Sequence, residues 1–275
     1  MSASAPMLLA VYSGAVLLAS LVGGRLAENR TMTHMRTQVV MSLVAGFLLG
    51  VALFHLLPHS LAWIPGPDAM DTAMLWAVLG MVAMIVLLRV FPFHQHDFSA
   101  EAQMHHGQGP ANGHGLAGIA LGLSLHAVTE GIALGASVRV GLTQEGVLPG
   151  LGVCLAILLH KPLDAFSITA MMKHRGKGRR ARLVANVGYA LICPLAAAAS
   201  YFGAGMLDAM TQGPALGYGL AFATGAFLCI ALSDLLPEVH FHSHDRGKLL
   251  LALLVGTGLA YALYFVEGSA HGTSH

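Results

Sequence analysis

Charge is what this sequence has least of. Only 10% of its 275 residues are Asp, Glu, Lys or Arg, while 56% are hydrophobic, which is far from the mixture of a soluble domain. The formal net charge is +1 and no basic patch is interleaved with aromatics, so nucleic acid has no surface to bind. No GxxxxGK[ST] loop occurs, which leaves direct ATP drive unsupported. Cysteine is limited to Cys154, Cys193 and Cys229, without CxxC spacing. All three lie in apolar runs and read as small buried hydrophobes, not as disulfides or a zinc knuckle.

What is abundant is apolar sequence in long runs. Eight of them, at about 6–24, 37–60, 70–91, 114–138, 147–172, 181–203, 215–238 and 248–267, are each close to the length that crosses a bilayer. The first lacks a basic stretch before it and seven others follow, so it reads as a helix, not a cleaved leader. The expected fold is therefore an all-α polytopic membrane protein, one transmembrane domain over 1–275. Glycine is frequent within the runs, which suits close helix approach in lipid. Twelve of the fourteen basic residues fall in alternate connections or at their edges, with Arg139 opposite and Lys161 inside a span. The positive-inside rule then places both termini outside, in a plasma or inner membrane.

Two of the runs contain polar residues that a hydrocarbon setting makes expensive. LHAVTEGIA at 125–133 and LLHKPLDAF at 158–166 each place a histidine and a carboxylate four residues apart, on one helix face. His126, Glu130, His160 and Asp164 thus form a complete nitrogen and oxygen ligand set for a divalent metal. Such a set suits zinc and also accepts cadmium, iron(II) or manganese. Lys161 follows His160 directly. An ammonium beside two carboxylates offsets negative charge and repels a second cation, so Lys161 reads as a counter-ion standing in place of a second metal.

The end of the second run, GFLLGVALFHLLPH at 46–59, matches the end of the seventh, GAFLCIALSDLLPE at 225–238, at seven of fourteen positions. With the orientation above, the two copies are inverted, as in many alternating-access carriers. The match puts His55 and His59 toward the outer mouth as a metal entrance. Asp234 and Glu238, with His240, His242 and His244 after them, lie toward the inner mouth as an exit. Pro58 and Pro237 are expected to break or bend their helices there. The longest polar connection, 92–113, carries His94, His96, His105 and His106, with His114 directly after it, among Gly, Pro and small polar residues. It reads as a flexible cytoplasmic loop that binds metal loosely.

These motifs resemble the ZIP (Zrt/Irt-like) family of divalent metal transporters, as a prokaryotic member. The family's His-x-x-x-Glu-Gly motif is matched by His126, Glu130 and Gly131, and its span-five ligands by His160 and Asp164; Lys161 and Ala127 stand where relatives place ligands of a second metal. The resemblance implies a 3+2+3 arrangement, with helices one to three related to six to eight by an inverted repeat. It also implies zinc uptake by an elevator-like movement of a bundle containing spans four and five, and a homodimer. An intramembrane zinc-dependent hydrolase is the competing class. It needs an open coordination position and a general acid or base, and the chain has no HExxH. A metal exporter or a channel stays open as well, since sequence encodes no flux direction.

Overall fold

A computed structural model describes residues 4–29, 34–90, 114–141, 148–207, 209–235 and 246–268. Among them are eight helices long and apolar enough to cross a membrane. They are α1 (Ser4–Asn29), α2 (34–63), α3 (Ala69–Val90), α4 (His114–Gly141), α5 (Leu151–His174), α6 (Arg179–Ala204), α7 (209–235) and α8 (Arg246–Gly268). A helix satisfies its own backbone, which hydrocarbon demands. Uninterrupted apolar runs of this length have no other stable form there. The 92–113 connection lies outside the described residues.

Helix ends follow local chemistry. The fifth run starts at Leu151 and not near 147, because Pro149 precedes Gly150, whose φ of 76° is open to glycine at little cost. The greater departure concerns Pro58. Of the expected break or bend, the break does not occur: α2 passes through a π turn at Ala52–Leu56 and continues as α-helix over Leu57–Trp63. The Leu57 N–H bonds back five residues to the Ala52 carbonyl. The wider turn takes up one extra residue and offsets the proline ring from the carbonyl it would otherwise strike. A π turn also occupies Ile230–Leu235 of α7, just before Pro237; Pro237 itself lies outside the described residues.

The helices associate in two sets. In one, α1 lies along α5 and α6, and α4 lies along α6; in the other, α2 lies along α8 and α3 along α7. The sets meet where α4 crosses α7 and α2 crosses α5. Helices α2, α4, α5 and α7 form the interior, with 61–67% of each span buried, against 22–28% for α1, α3, α6 and α8. The outer helices turn apolar rows outward, such as Leu75, Val78, Val82 and Val86 of α3 and Leu250, Leu251 and Leu254 of α8.

The second set is locked by glycines used reciprocally. A Cβ on Gly46 of α2 would overlap the Leu253 carbonyl of α8, and one on Gly256 of α8 would overlap the Leu43 carbonyl of α2. The α3–α7 pair repeats this: Gly80 faces the Phe222 carbonyl and Gly225 the Ala77 carbonyl. Contact of backbone with backbone maximises dispersion and permits Cα–H···O contacts where lipid supplies no hydrophobic drive. In α4 the close approach falls at Gly131 and Gly135, against the Cys193 and Ala197 carbonyls of α6. The three cysteines are buried and free, as small core residues.

Candidate metal centre

The interior of the first set is polar. From α4, His126 and Glu130 lie one turn apart, with His126 Nε2 2.9 Å from Glu130 Oε1. From α5, His160 Nε2 contacts that same oxygen, and Asp164 Oδ2 lies 3.7 Å from His126 Nε2. One ligand atom from each of the four residues falls within 4.8 Å of all the others. None of the four side chains is more than 3% exposed. Around a tetrahedral zinc at about 2.0–2.1 Å from each ligand, ligand atoms stand roughly 3.4 Å apart. The His126–Glu130 and His126–Asp164 separations of 2.9 and 3.7 Å bracket that spacing.

Outer contacts aim the donors. His160 Nδ1 lies 2.7 Å from the Ala156 carbonyl. A carbonyl only accepts, so Nδ1 carries a proton and donates it, which turns Nε2 toward the cluster. The Tyr189 hydroxyl of α6 donates to Asp164 Oδ2 at 3.0 Å, which fixes that carboxylate as second-layer partners of metal ligands do. Phe227 of α7 meets the His160 ring at 83°, with centroids 6.5 Å apart, so the second helix set closes one wall. His126 Nδ1 is buried without a hydrogen-bond partner.

Glu130 is divided between two kinds of neighbour. Its Oε1 faces the two imidazoles, and its Oε2 accepts from Lys161 Nζ. Lys161 is fully buried and its ammonium sits 4.7 Å above the Tyr189 ring centroid. It does not extend along the helix surface to water; the carboxylate and the ring face together hold its charge inside. Tyr189 is the functional neighbour that sequence reasoning missed. Its only signal was a polar ring within an apolar run.

Of the other expected positions, His55 and His59 are described with their side chains and stand outside this cluster. His55 is buried, its Nε2 donates to the Ala260 carbonyl of α8 at 2.9 Å, and its ring meets Tyr264 edge-on. It also packs beside Gly152 at the start of α5. His59, one turn further along α2, is half-buried. The Asp234 backbone belongs to the π turn of α7, while Glu238, His240, His242 and His244 lie outside the described residues.

The comparison with known proteins points the same way as the geometry. The profile described as "ZIP Zinc transporter" matches residues 92–263, more than half of the chain. Zinc transporter ZIP9-B of Xenopus laevis is 30% identical over 176 residues, covering 62% of this chain and 55% of the frog protein. Zinc transporter ZIP9 of Macaca fascicularis is 31% identical over 163 residues, 55% of this chain and 67% of that protein. Zinc transporter ZIP1 of Homo sapiens is 32% identical over 150 residues, 53% of this chain and 42% of the human protein. The chain thus spans about half the length of most of these curated relatives. The matched region runs from the connection before α4 into α8 and contains the whole cluster, and on that match the chain belongs to the ZIP zinc transporter family.

Proposed function

We propose that the protein carries zinc across a membrane into the cytoplasm, with His126, Glu130, His160 and Asp164 as the ligands of the ion in transit. The observation that carries this reading is the convergence of four buried ligand atoms from two spanning helices, with His160 Nε2 turned inward by the bond from Nδ1 to the Ala156 carbonyl. Mixed nitrogen and oxygen ligands favour zinc, and cadmium, iron(II) and manganese are further candidates. The relatives are named zinc transporters, which supports the same cargo. A single transmembrane domain over 1–275, a prokaryotic setting and an inner membrane belong to the same proposal.

The centre holds one ion. Glu130 and Asp164 supply two negative charges against a divalent cation, and Lys161 adds a positive one on the Glu130 carboxylate. A second divalent ion would face that ammonium at a cost of about 4 kcal/mol for each unit charge at 4 Å in an effective dielectric of about 20. Ala127 offers no donor beside it.

An inverted repeat in a 3+2+3 arrangement is supported by the packing. Exchanging α1 with α6, α2 with α7, α3 with α8 and α4 with α5 turns the α2–α8 pairing into α7–α3, and α1–α5 into α6–α4. Both π turns precede the matching Leu-Leu-Pro. The two helix sets are natural parts for an elevator: α1, α4, α5 and α6 carry the ion, and α2, α3, α7 and α8 form the frame and the homodimer contact. With the basic residues inside, both termini lie outside. His55 and His59 then flank the entrance, and Asp234, Glu238, His240, His242 and His244 the exit.

Flux into oriented proteoliposomes holding a metal-sensitive dye tests cargo and direction together. Zinc is expected to enter with the wild type, and His160→Ala is expected to reduce uptake at least about tenfold, since metal-site changes cost 10–100-fold. A folded His160→Ala protein that transports zinc normally would falsify the four-ligand centre. Anomalous diffraction separates the one-ion claim: one metal is expected in the wild type, and two in Lys161→Ala combined with Ala127→Asn. Two occupied sites in the wild type would overturn it.

A further inference from the structure

At the inner end of the first helix set a cavity of about 460 Å³ opens between α1, α5 and α6. Arg25, Arg179, Arg180 and Arg182 line it, together with Thr169 and Asn186. Four guanidinium groups around one space repel a metal ion, so this cavity is no part of a cation path. They also lie where a positive charge is least welcome. Helix α6 begins at Arg179, its cap Gly178 offers no side-chain hydrogen bond, and no acidic residue occupies its first turn. The first-turn N–H groups of a helix lack intrahelical acceptors and carry the positive end of the macrodipole. Three arginines at that end raise an already positive potential, which an anion would relieve.

Two buried side chains complete the cavity from the protein side. Thr169 is 3% exposed and Asn186 4% exposed; Thr169 Oγ1 and Asn186 Oδ1 both lack a hydrogen-bond partner. The Asn186 amide nitrogen is held by the Leu21 carbonyl at 3.3 Å, which fixes the orientation of the side chain. A buried hydroxyl without a partner costs free energy unless something accepts from it. A phosphate oxygen is such an acceptor. A glycerol or P–OH hydroxyl satisfies the Asn186 oxygen in turn. Leu183 forms part of the wall and is 51% exposed, and Val184 beside it is 65% exposed. The cavity is therefore continuous with an apolar outer face of α6.

We propose that this cavity binds a phosphate group, and that its source is the headgroup of an acidic membrane lipid whose chains lie along Leu183 and Val184. Basic pockets between membrane helices bind such headgroups, and this one adds the helix N-terminus and two buried polar atoms. The inference requires only that the chain sits in a bilayer. It is independent of which ion the metal centre carries.

The test places the full chain in nanodiscs of phosphatidylcholine with a minor fraction of phosphatidylglycerol, and counts retained lipids by native mass spectrometry. A second arm adds inorganic phosphate to the protein in detergent and follows phosphorus line broadening. The wild type is expected to retain phosphatidylglycerol over phosphatidylcholine, and millimolar phosphate is expected to compete. Arg179→Gln with Arg180→Gln is expected to weaken retention on the order of thirtyfold, at roughly one basic residue's surface contribution each. Thr169→Val is expected to weaken it several-fold, while Arg89→Gln, at the end of α3 and away from the cavity, leaves it unchanged. Equal retention of the two lipids, or wild-type retention by the double variant, would overturn the site. Binding of inorganic phosphate without lipid retention would overturn the lipid as its source.

Discussion

The two helix sets bury opposite kinds of matter. Helices α1, α4, α5 and α6 enclose His126, Glu130, His160, Lys161, Asp164, Asn186 and Tyr189. Among the described residues, α2, α3, α7 and α8 bury one histidine, His55, and no Asp, Glu, Lys or Arg, and they close on each other through glycine and carbonyl oxygen. In the first set the specificity lies in side-chain atoms that must be neutralised by one another. In the second it lies in the absence of side chains at four positions. The lesson is a division by chemistry: the buried charges of the first set are neutralised by partners on neighbouring helices, whereas the reciprocal backbone contacts of the second set offer a cation nothing to hold.

That contrast can be broken most severely at Glu130. Glu130→Ala strands the Lys161 ammonium in a fully buried position and is expected to destabilise the fold by about 3–5 kcal/mol, with loss of metal binding. Thermal unfolding in detergent reads the first effect and titration calorimetry the second. Adding Lys161→Met is expected to restore most of the stability and none of the metal affinity. If the single change leaves the unfolding midpoint untouched, the ion pair is not what holds Lys161 inside.

A smaller loss is expected from the frame. Gly225→Val drives a branched side chain into the Ala77 carbonyl, an overpacking worth about 1–3 kcal/mol or more, while zinc affinity at the cluster, whose four residues lie on other helices, stays at its wild-type value. A change in affinity matching the change in stability would show that the two sets are not separable. The smallest effect sharpens the same point. Thr257 Oγ1 bonds the Gly46 carbonyl at 3.1 Å across the α2–α8 contact, and hydrogen bonds between membrane helices average only about 0.6 kcal/mol. Thr257→Val is expected to cost about that much, well below Gly225→Val. A larger cost would move the weight of the frame from backbone contact to side-chain bonding.

Much of this was legible because lipid enforces simple rules. Eight spans follow from run length alone, since an apolar run that long has no alternative to a helix. The meeting of His126, Glu130, His160 and Asp164 was legible because their four-residue spacing fixes a common face and consecutive spans are neighbours. Tyr189 was not, because its place beside Asp164 depends on how α6 crosses α5, and no spacing rule reports a crossing. His55 was visible as a polar residue, yet its carbonyl partner comes from Ala260, 205 residues away. Pro58 announced a disturbance, but a break and a π turn leave the same mark in a sequence. The glycines were too numerous for the four reciprocal ones to stand out.

The pairing of α2 with α8 also has a consequence in time. Arg139 of α4 reaches the Tyr201 carbonyl of α6 only 62 residues later in the chain, whereas Ser42 of α2 bonds Leu249 across 207. At roughly 5–20 residues per second of synthesis, the α4–α6 contact becomes available within about 3–12 s of its first residue being made. The α2–α8 contact requires about 10–40 s. Throughout that interval the Gly46 face of α2 stands in the bilayer with its partner helix not yet translated. The α4–α6 contact beside the ligand cluster thus becomes available early, and the second helix set closes only once α8 has been made.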